Sequence, residues 1–191
     1  MKFEEQKSTP RNNPKAGVHV ARLISIVDLG IRPGFMWEGA KTDPCHKFDF
    51  TYELVNSMYD EDLPHHVSEE IPNKLSKEGA KRDTKLSNRV ASLQGLPGDP
   101  NSLLGKACMV EVQIKNDWPR VVNVTGVPEG IPVKALKGDA FLFDLADPTA
   151  TLFNKIPEFK QKRVKENLNY QGSKLQQMLD VEISTSDNSQ F

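Results

Sequence analysis

The sequence has only two cysteines, Cys45 and Cys108, no apolar run near the ~20 residues of a membrane-spanning helix, and no excess of charge of one sign. Each shortage removes a class of protein. Two thiols exclude a disulfide scaffold and read as free in a reducing compartment. The missing apolar run excludes a helical membrane span, and the charged start MKFEEQKSTPRNNPK lacks the apolar stretch of a signal peptide, so a soluble intracellular protein is expected. With 25 Lys+Arg against 26 Asp+Glu, the chain is not a uniformly basic coat for a polyanion, and any polyanion site must be local. Aromatic residues are also sparse, at 7%, and Trp37 and Trp118 are the only tryptophans. Large exposed rings, where they occur, are therefore informative.

What is present suffices for one sizeable core and a small appendage, given 191 residues of which 37% are hydrophobic. Residues 1–16 are polar, contain Pro10 and Pro14, and read as a mobile arm, with order expected from Gly17. In VHVARLISIVDL, Val18, Val20, Ile24 and Ile26 share a face at period two, as a half-buried strand requires, with Arg22 interrupting that face. Gly30, Pro33, Gly34, Gly39 and Pro44 then mark a long exposed loop. KFDFTYEL is a second strand, in which Phe48, Phe50, Tyr52 and Leu54 alternate with polar residues, and HHVSEEI is a third that ends at Pro72 and forms a hairpin with it. Leu86, Val90 and Leu93 have helical spacing, with Gly95 placed as a stop, which predicts a helix over residues 84–94. KACMVEVQIK and RVVNVTGV make a last hairpin through the turn NDWP.

Five strands with one helix between the third and fourth is the layout of an OB-fold barrel, so the expected fold is mainly β, with that barrel spanning residues 17–130. Residues 131–179 differ, with scattered apolar residues and then the basic helical stretch FKQKRVKENLNY, and are expected to pack on the barrel as a helical extension. Residues 180–191 hold Asp180, Glu182 and Asp187, no basic residue and a terminal Phe191, a composition that predicts a disordered acidic tail.

The stretches GVHVARLISIVDLG, FTYEL, LLGKACMVEV and NVTGVPEGIPV, in this order and spacing, with FLFDLADPTATLFNKIPEFKQKRVKENLNY after them, resemble the bacteriophage-encoded single-stranded DNA-binding proteins that have an OB-fold. The likeness covers about residues 17–170. It implies non-sequence-specific binding of single-stranded DNA in phage replication, recombination or repair, in the cytoplasm of the infected bacterial host. The acidic tail is similar to those that recruit phage or host replication proteins, which implies a partner contact through Phe191. The resemblance implies no enzymatic activity, no cofactor, no metal and no membrane association.

Single strands are held by stacking bases on aromatic faces and by Lys and Arg at phosphates. OB-folds place the loops after strands 1 and 4 beside the binding surface. The first of these loops holds Arg32, Phe35, Trp37 and Lys41, and the second holds Trp118 with Lys115 and Arg120 beside it. The alternative for both tryptophans is hydrophobic packing at the barrel ends. Phe48 and Phe50 fit the core, whereas Tyr52 stands as a stacking candidate. Lys47 points outward on the surface that OB-folds use, and His66 sits on the hairpin surface. Residues 74–89 carry six cations against Glu78 and Asp83, among them Lys81, Arg82, Lys85 and Arg89, as a path for a phosphate backbone or a solvated helix face. Residues 155–165 are similarly basic and fit an ordinary exposed face. Arg22, a charge on an apolar face, must reach solvent, a ligand or a carboxylate such as Asp28 or Glu53.

Two other functions compete with strand binding. Cys45-His46 and His65-His66 are the only cluster from which a metal site could be built, and their adjacency lacks the spacing of common zinc motifs. An OB-like module that binds a replication or recombination partner instead of DNA is the second reading, favoured by the near-neutral charge.

Overall fold

The computed structural model describes residues 12–187. In chain order its elements are β1 (Gly17–Arg32), β2 (Met36–Trp37), β3 (Ala40–Lys41), β4 (Cys45–Met58), β5 (Pro64–Pro72), α1 (Lys85–Ser92), a 3-10 turn (Pro100–Leu103), β6 (Ala107–Lys115), β7 (Trp118–Thr125), β8 (Phe141–Phe143), α2 (Ala150–Lys155), α3 (Glu158–Lys165) and α4 (Lys174–Asp187). No helix is long and apolar enough to cross a membrane among the described residues.

The period-two stretches become one six-stranded sheet of order β5-β4-β1-β6-β7, all antiparallel, with β8 joined to β1 in parallel. β1 organises it. One edge of β1 pairs with β4 from Ala21 to Arg32, while the other is shared, by β6 along Gly17 to Arg22 and by β8 along Ser25 to Val27. Register shifts at Leu23/Ser25 and Asp28/Ile31 let β1 serve two cores. Leu23 and Ile26 join Phe50, Tyr52, Leu54, Val110 and the α1 residues Leu86 and Val90 in the first core. Val27 and Leu29 join Phe143, Phe153, Ile156, Val164 and Leu175 of the C-terminal segment in the second.

β5 and β7, the outer strands of this order, approach one another, yet no ladder joins them among the described residues. The sheet is thus open in its hydrogen bonding where the sequence anticipates a five-stranded barrel. Pro64 and Pro72 bound β5 and Pro119 sits in β7, and a proline supplies no ladder donor.

Local chemistry accounts for the connections. Thr84 caps α1, its side chain accepting from the Ser87 amide. Gln94, not Gly95, takes the left-handed conformation after the helix, with φ 52°. Gly95 is needed for a different reason, since a Cβ there would lie 2.0 Å from Leu103. The long loop after β1 contains the β2–β3 hairpin, whose turn residues Glu38 and Gly39 both have positive φ, as a tight primed turn demands.

Two boundaries differ from the sequence expectation. Order begins before Gly17: Pro14 is buried, the Asn13 side chain donates to the Asp117 carbonyl at 2.9 Å, and the Asn12 side chain donates to the Tyr59 carbonyl. Short polar side chains there satisfy carbonyls of two turns, a pairing that composition does not reveal. At the other end, α4 continues to Asp187, across the first eight positions of the segment expected to be disordered. Leu175, Met178 and Leu179 anchor it to the second core, and helix propagates from an anchored turn at little further cost. Phe191 lies outside the described residues.

Cys108 is buried in the first core, and that burial pushes its thiol up to about 12, whereas Cys45 is partly exposed. Thiolate is the reactive form. A thiol titration at pH 8 is therefore expected to count one group in the native protein and two in denaturant; two fast groups in the native protein would contradict the packing of β6.

Candidate nucleic-acid interface

Along β4 the inward residues are apolar, and the outward residues Asp49, Thr51 and Glu53 are polar yet almost completely buried. The C-terminal segment covers them. Lys160 of α3 is itself buried and places its Nζ 2.5 Å from Asp49 Oδ1 and 2.6 Å from Thr51 Oγ1, while the Thr51 hydroxyl donates to Asp49. The buried Glu53 accepts from the Lys137 amide at 2.9 Å. A buried ion is tolerated only when paired and hydrogen-bonded, and here each carboxylate is matched by a donor of the covering segment.

What this cover leaves open is a groove of about 520 Å³ along the outer side of β5. His66, Ser68 and Glu70 form its floor, Trp118, Pro119 and Arg120 of β7 one wall, and Phe159 and Arg163 of α3 the other. Trp118 is 53% exposed and Phe159 64%, so both large rings stand in solvent. Glu70 is held by Arg163 at 2.5 Å and Lys47 at 3.4 Å, and the Lys47 ammonium lies 5.9 Å from the centre of the exposed Phe35 ring. A strip of rings and cations thus runs from the loop after β1, across β4 and β5, to the β6–β7 turn. His66 and Phe159 also line a second pocket of about 520 Å³, which continues beneath α3 to β8.

The sequence candidates divide sharply. Trp118 and Arg120 lie on the groove with His66, whose Nε2 is 3.6 Å from Glu53 Oε2; Lys115 is exposed at the end of β6, Lys47 and Phe35 lie on the strip, and Lys41 is exposed on β3. The backbone of Trp37 pairs with Ala40, and its side chain lies outside the described residues. Lys81 and Arg82 are exposed in the loop before α1, and Lys85 is 2.8 Å from Glu69 and donates to the Glu70 carbonyl.

Four candidates have structural roles instead. Tyr52 is fully buried and its hydroxyl donates to Glu69 at 2.8 Å; burial, with the Glu69 charge, pushes that phenol well above its ordinary range. Arg89 is buried against the same carboxylate, with Nε 2.7 Å from Oε1. Arg22 donates to the carbonyls of Lys134 and Gly105, each at 2.7 Å, and to no carboxylate among the described residues. Arg32 donates to the Arg163 carbonyl at 2.5 Å and to Glu166 at 3.1 Å, fastening α3 to the end of β1. Each satisfies a group remote in sequence, which period-two patterning does not encode. Conversely, Phe159 and Arg163 lie in a stretch that reads as an ordinary exposed face; a phenylalanine among five charged residues of EFKQKRVK was the available signal.

The possible metal cluster is taken apart by the strand register. Lys47 pairs with Pro72 and Leu54 with His65, so Cys45 and His46 lie at one end of the β4–β5 hairpin and His65 and His66 at the other. His46 bonds Asp28 at 2.6 Å, and His65 bonds Ser57 and the Asn12 carbonyl.

Removing one member of a buried charge pair leaves the other unpaired, at a cost of about 3–5 kcal/mol. Glu69→Ala is expected to lower unfolding stability by about that amount in urea titration, and a loss below ~1 kcal/mol would show Arg89 to be rescued by water. Burial alone would raise the Glu69 pKa, but hydrogen bonds from Arg89 and Lys85 outweigh it and lower the net value. Its contribution is thus complete above the ordinary carboxylate range and is lost as pH falls through the lowered folded-state value. Glu69→Gln should flatten that acid limb; an unchanged limb would assign acid sensitivity to other carboxylates. Likewise Lys160→Ala is expected to make the segment after residue 130 cleavable by protease under conditions where the wild type resists, and equal resistance would contradict its role as the fastening.

No family model, curated protein or solved structure matches the chain.

Proposed function

We propose that the protein binds single-stranded DNA without strong sequence preference, with the strand lying in the groove between β5, the β6–β7 turn and α3. The observation that supports this most is the pair of exposed rings, Trp118 and Phe159, facing one groove that also holds Arg120 and Arg163. Rings supply stacking platforms indifferent to base identity, and the guanidinium groups supply phosphate contacts.

The strand order supports the same reading. We take the sheet as a partly open OB-fold barrel: the order β5-β4-β1-β6-β7 with a helix between β5 and β6 supports that reading, in which the second and third strands, β4 and β5, and the loops at 33–44 and 116–117 would flank the oligonucleotide. The resemblance in residues 17–170 adds the setting: phage DNA replication, recombination or repair in the host cytoplasm, with replication proteins as partners of the tail. Binding a protein partner instead of DNA is favoured by one observation, the cover over Asp49 and Glu53 on the β4 face. Salt separates the two, since displacement of phosphate counterions makes log affinity fall with log salt, by about 0.7 per contacted phosphate for single strands.

Trp118→Ala is expected to weaken oligo-dT binding by about 1–3 kcal/mol with the unfolding midpoint unchanged. Binding by the wild type should be steeply salt-dependent and far stronger than to duplex of equal length. No binding at low salt, or equal affinity for duplex, would overturn the proposal.

A further inference from the structure

The pocket beneath α3 differs in chemistry from the groove it joins. Its polar residues include Ser25 of β1, Ser68 of β5, Asp139 before β8 and Lys155 of α2, and its rings are His66, Phe141 and Phe159. At about 520 Å³ it falls within the roughly 300–1,000 Å³ of pockets that enclose a small organic group. It is one Phe159 ring away from the proposed strand path, because that ring lines both spaces.

Asp139 is the informative residue. The other carboxylates of this face are committed: Asp49 to Lys160, Glu53 to the Lys137 amide, and Glu70 to Arg163 and Lys47. Asp139 is exposed and forms no ion pair or side-chain hydrogen bond among the described residues. Lys155 also lines the pocket and is offset by this carboxylate, while Lys160 is committed to Asp49, so the pocket has no net positive charge to draw in the strand's backbone. It suits a neutral, flat group with hydrogen-bond donors at its edge, and an unstacked base is such a group. Guanine alone offers two parallel donors, N1–H and the 2-amino group, to one carboxylate. Thymine offers a single N–H flanked by two carbonyl oxygens, which a carboxylate repels.

We propose that this pocket receives one unstacked base of the bound strand and that Asp139 favours guanine there. The inference rests on the single-strand reading above and adds to it one position of base preference within otherwise indifferent binding. Phe141 and Phe159 contribute apolar walls, and the hydroxyls of Ser25 and Ser68 supply neutral partners for the remaining base edge.

The test is a pair of fluorescence titrations of the full chain at low salt, with short oligo-dT and with the same oligo carrying one central guanine, repeated on Asp139→Asn. The guanine oligo is expected to bind the wild type about five- to tenfold tighter, and the variant is expected to bring the two within about twofold. The ratio is the readout, because removing a negative charge strengthens binding of both oligos, and a merely structural role would move both alike. Equal affinities in the wild type, or a preference that survives Asp139→Asn, would overturn the inference while leaving strand binding intact. If neither oligo binds at all, the single-strand reading fails and the pocket assignment fails with it.

Discussion

The buried contact of Lys160 with Asp49 and Thr51 is the interaction on which the rest of this architecture depends. Without it, the outward face of β4 would be a wet sheet surface with a free carboxylate. With it, that surface becomes an interior, α3 is fixed across the sheet, and the space left beside β5 becomes a groove with two walls. A buried pair of this kind contributes little net stability over an apolar equivalent. Its value lies in geometry, since α3 is held at two points, by Asp49 through Lys160 and by the Arg32 contacts at the end of β1.

That placement sets the electrostatics of the candidate site. Asp49 and Glu70 face the groove, and either one alone would oppose a phosphate. Their pairing with Lys160, Arg163 and Lys47 neutralises the floor, which leaves Arg120 and the partly exposed Arg163 to set the local sign. A chain of net charge −1 can thereby present a locally favourable path for a polyanion. The rings complete it, because Trp118 arrives from a tight turn whose residues Asn116 and Asp117 both have positive φ, and Phe159 arrives from the first turn of α3.

Much of the fold was legible in the sequence because strand alternation and helix spacing are local signals. The alternation in KFDFTYEL gave the inward face of β4 correctly, and Leu86 and Val90 gave the buried face of α1. The polar face misled, because alternation says that Asp49, Thr51 and Glu53 point away from the core but not that a segment 84 to 111 residues later buries them. The same limit explains Tyr52 and Arg89, whose common partner Glu69 sits on a neighbouring strand. It also explains β8, three residues whose strand character comes from the free edge of β1 beyond β6. Trp118, Arg120 and His66 were legible as exposed candidates because turn and hairpin positions are exposed by default, whereas Phe159 was hidden by the charge around it.

The central claim is that a single strand lies between β5, the β6–β7 turn and α3. Amide hydrogen exchange of the full chain, with and without saturating oligo-dT at low salt, tests this most directly. The account predicts slowed exchange in β5 around His66 to Glu70, in the turn at Trp118 and in α3 around Phe159 to Arg163, with little change in α1 or the loop before it. Protection confined to the loop and helix at residues 74–92, or none anywhere when the oligo is saturating, would contradict it.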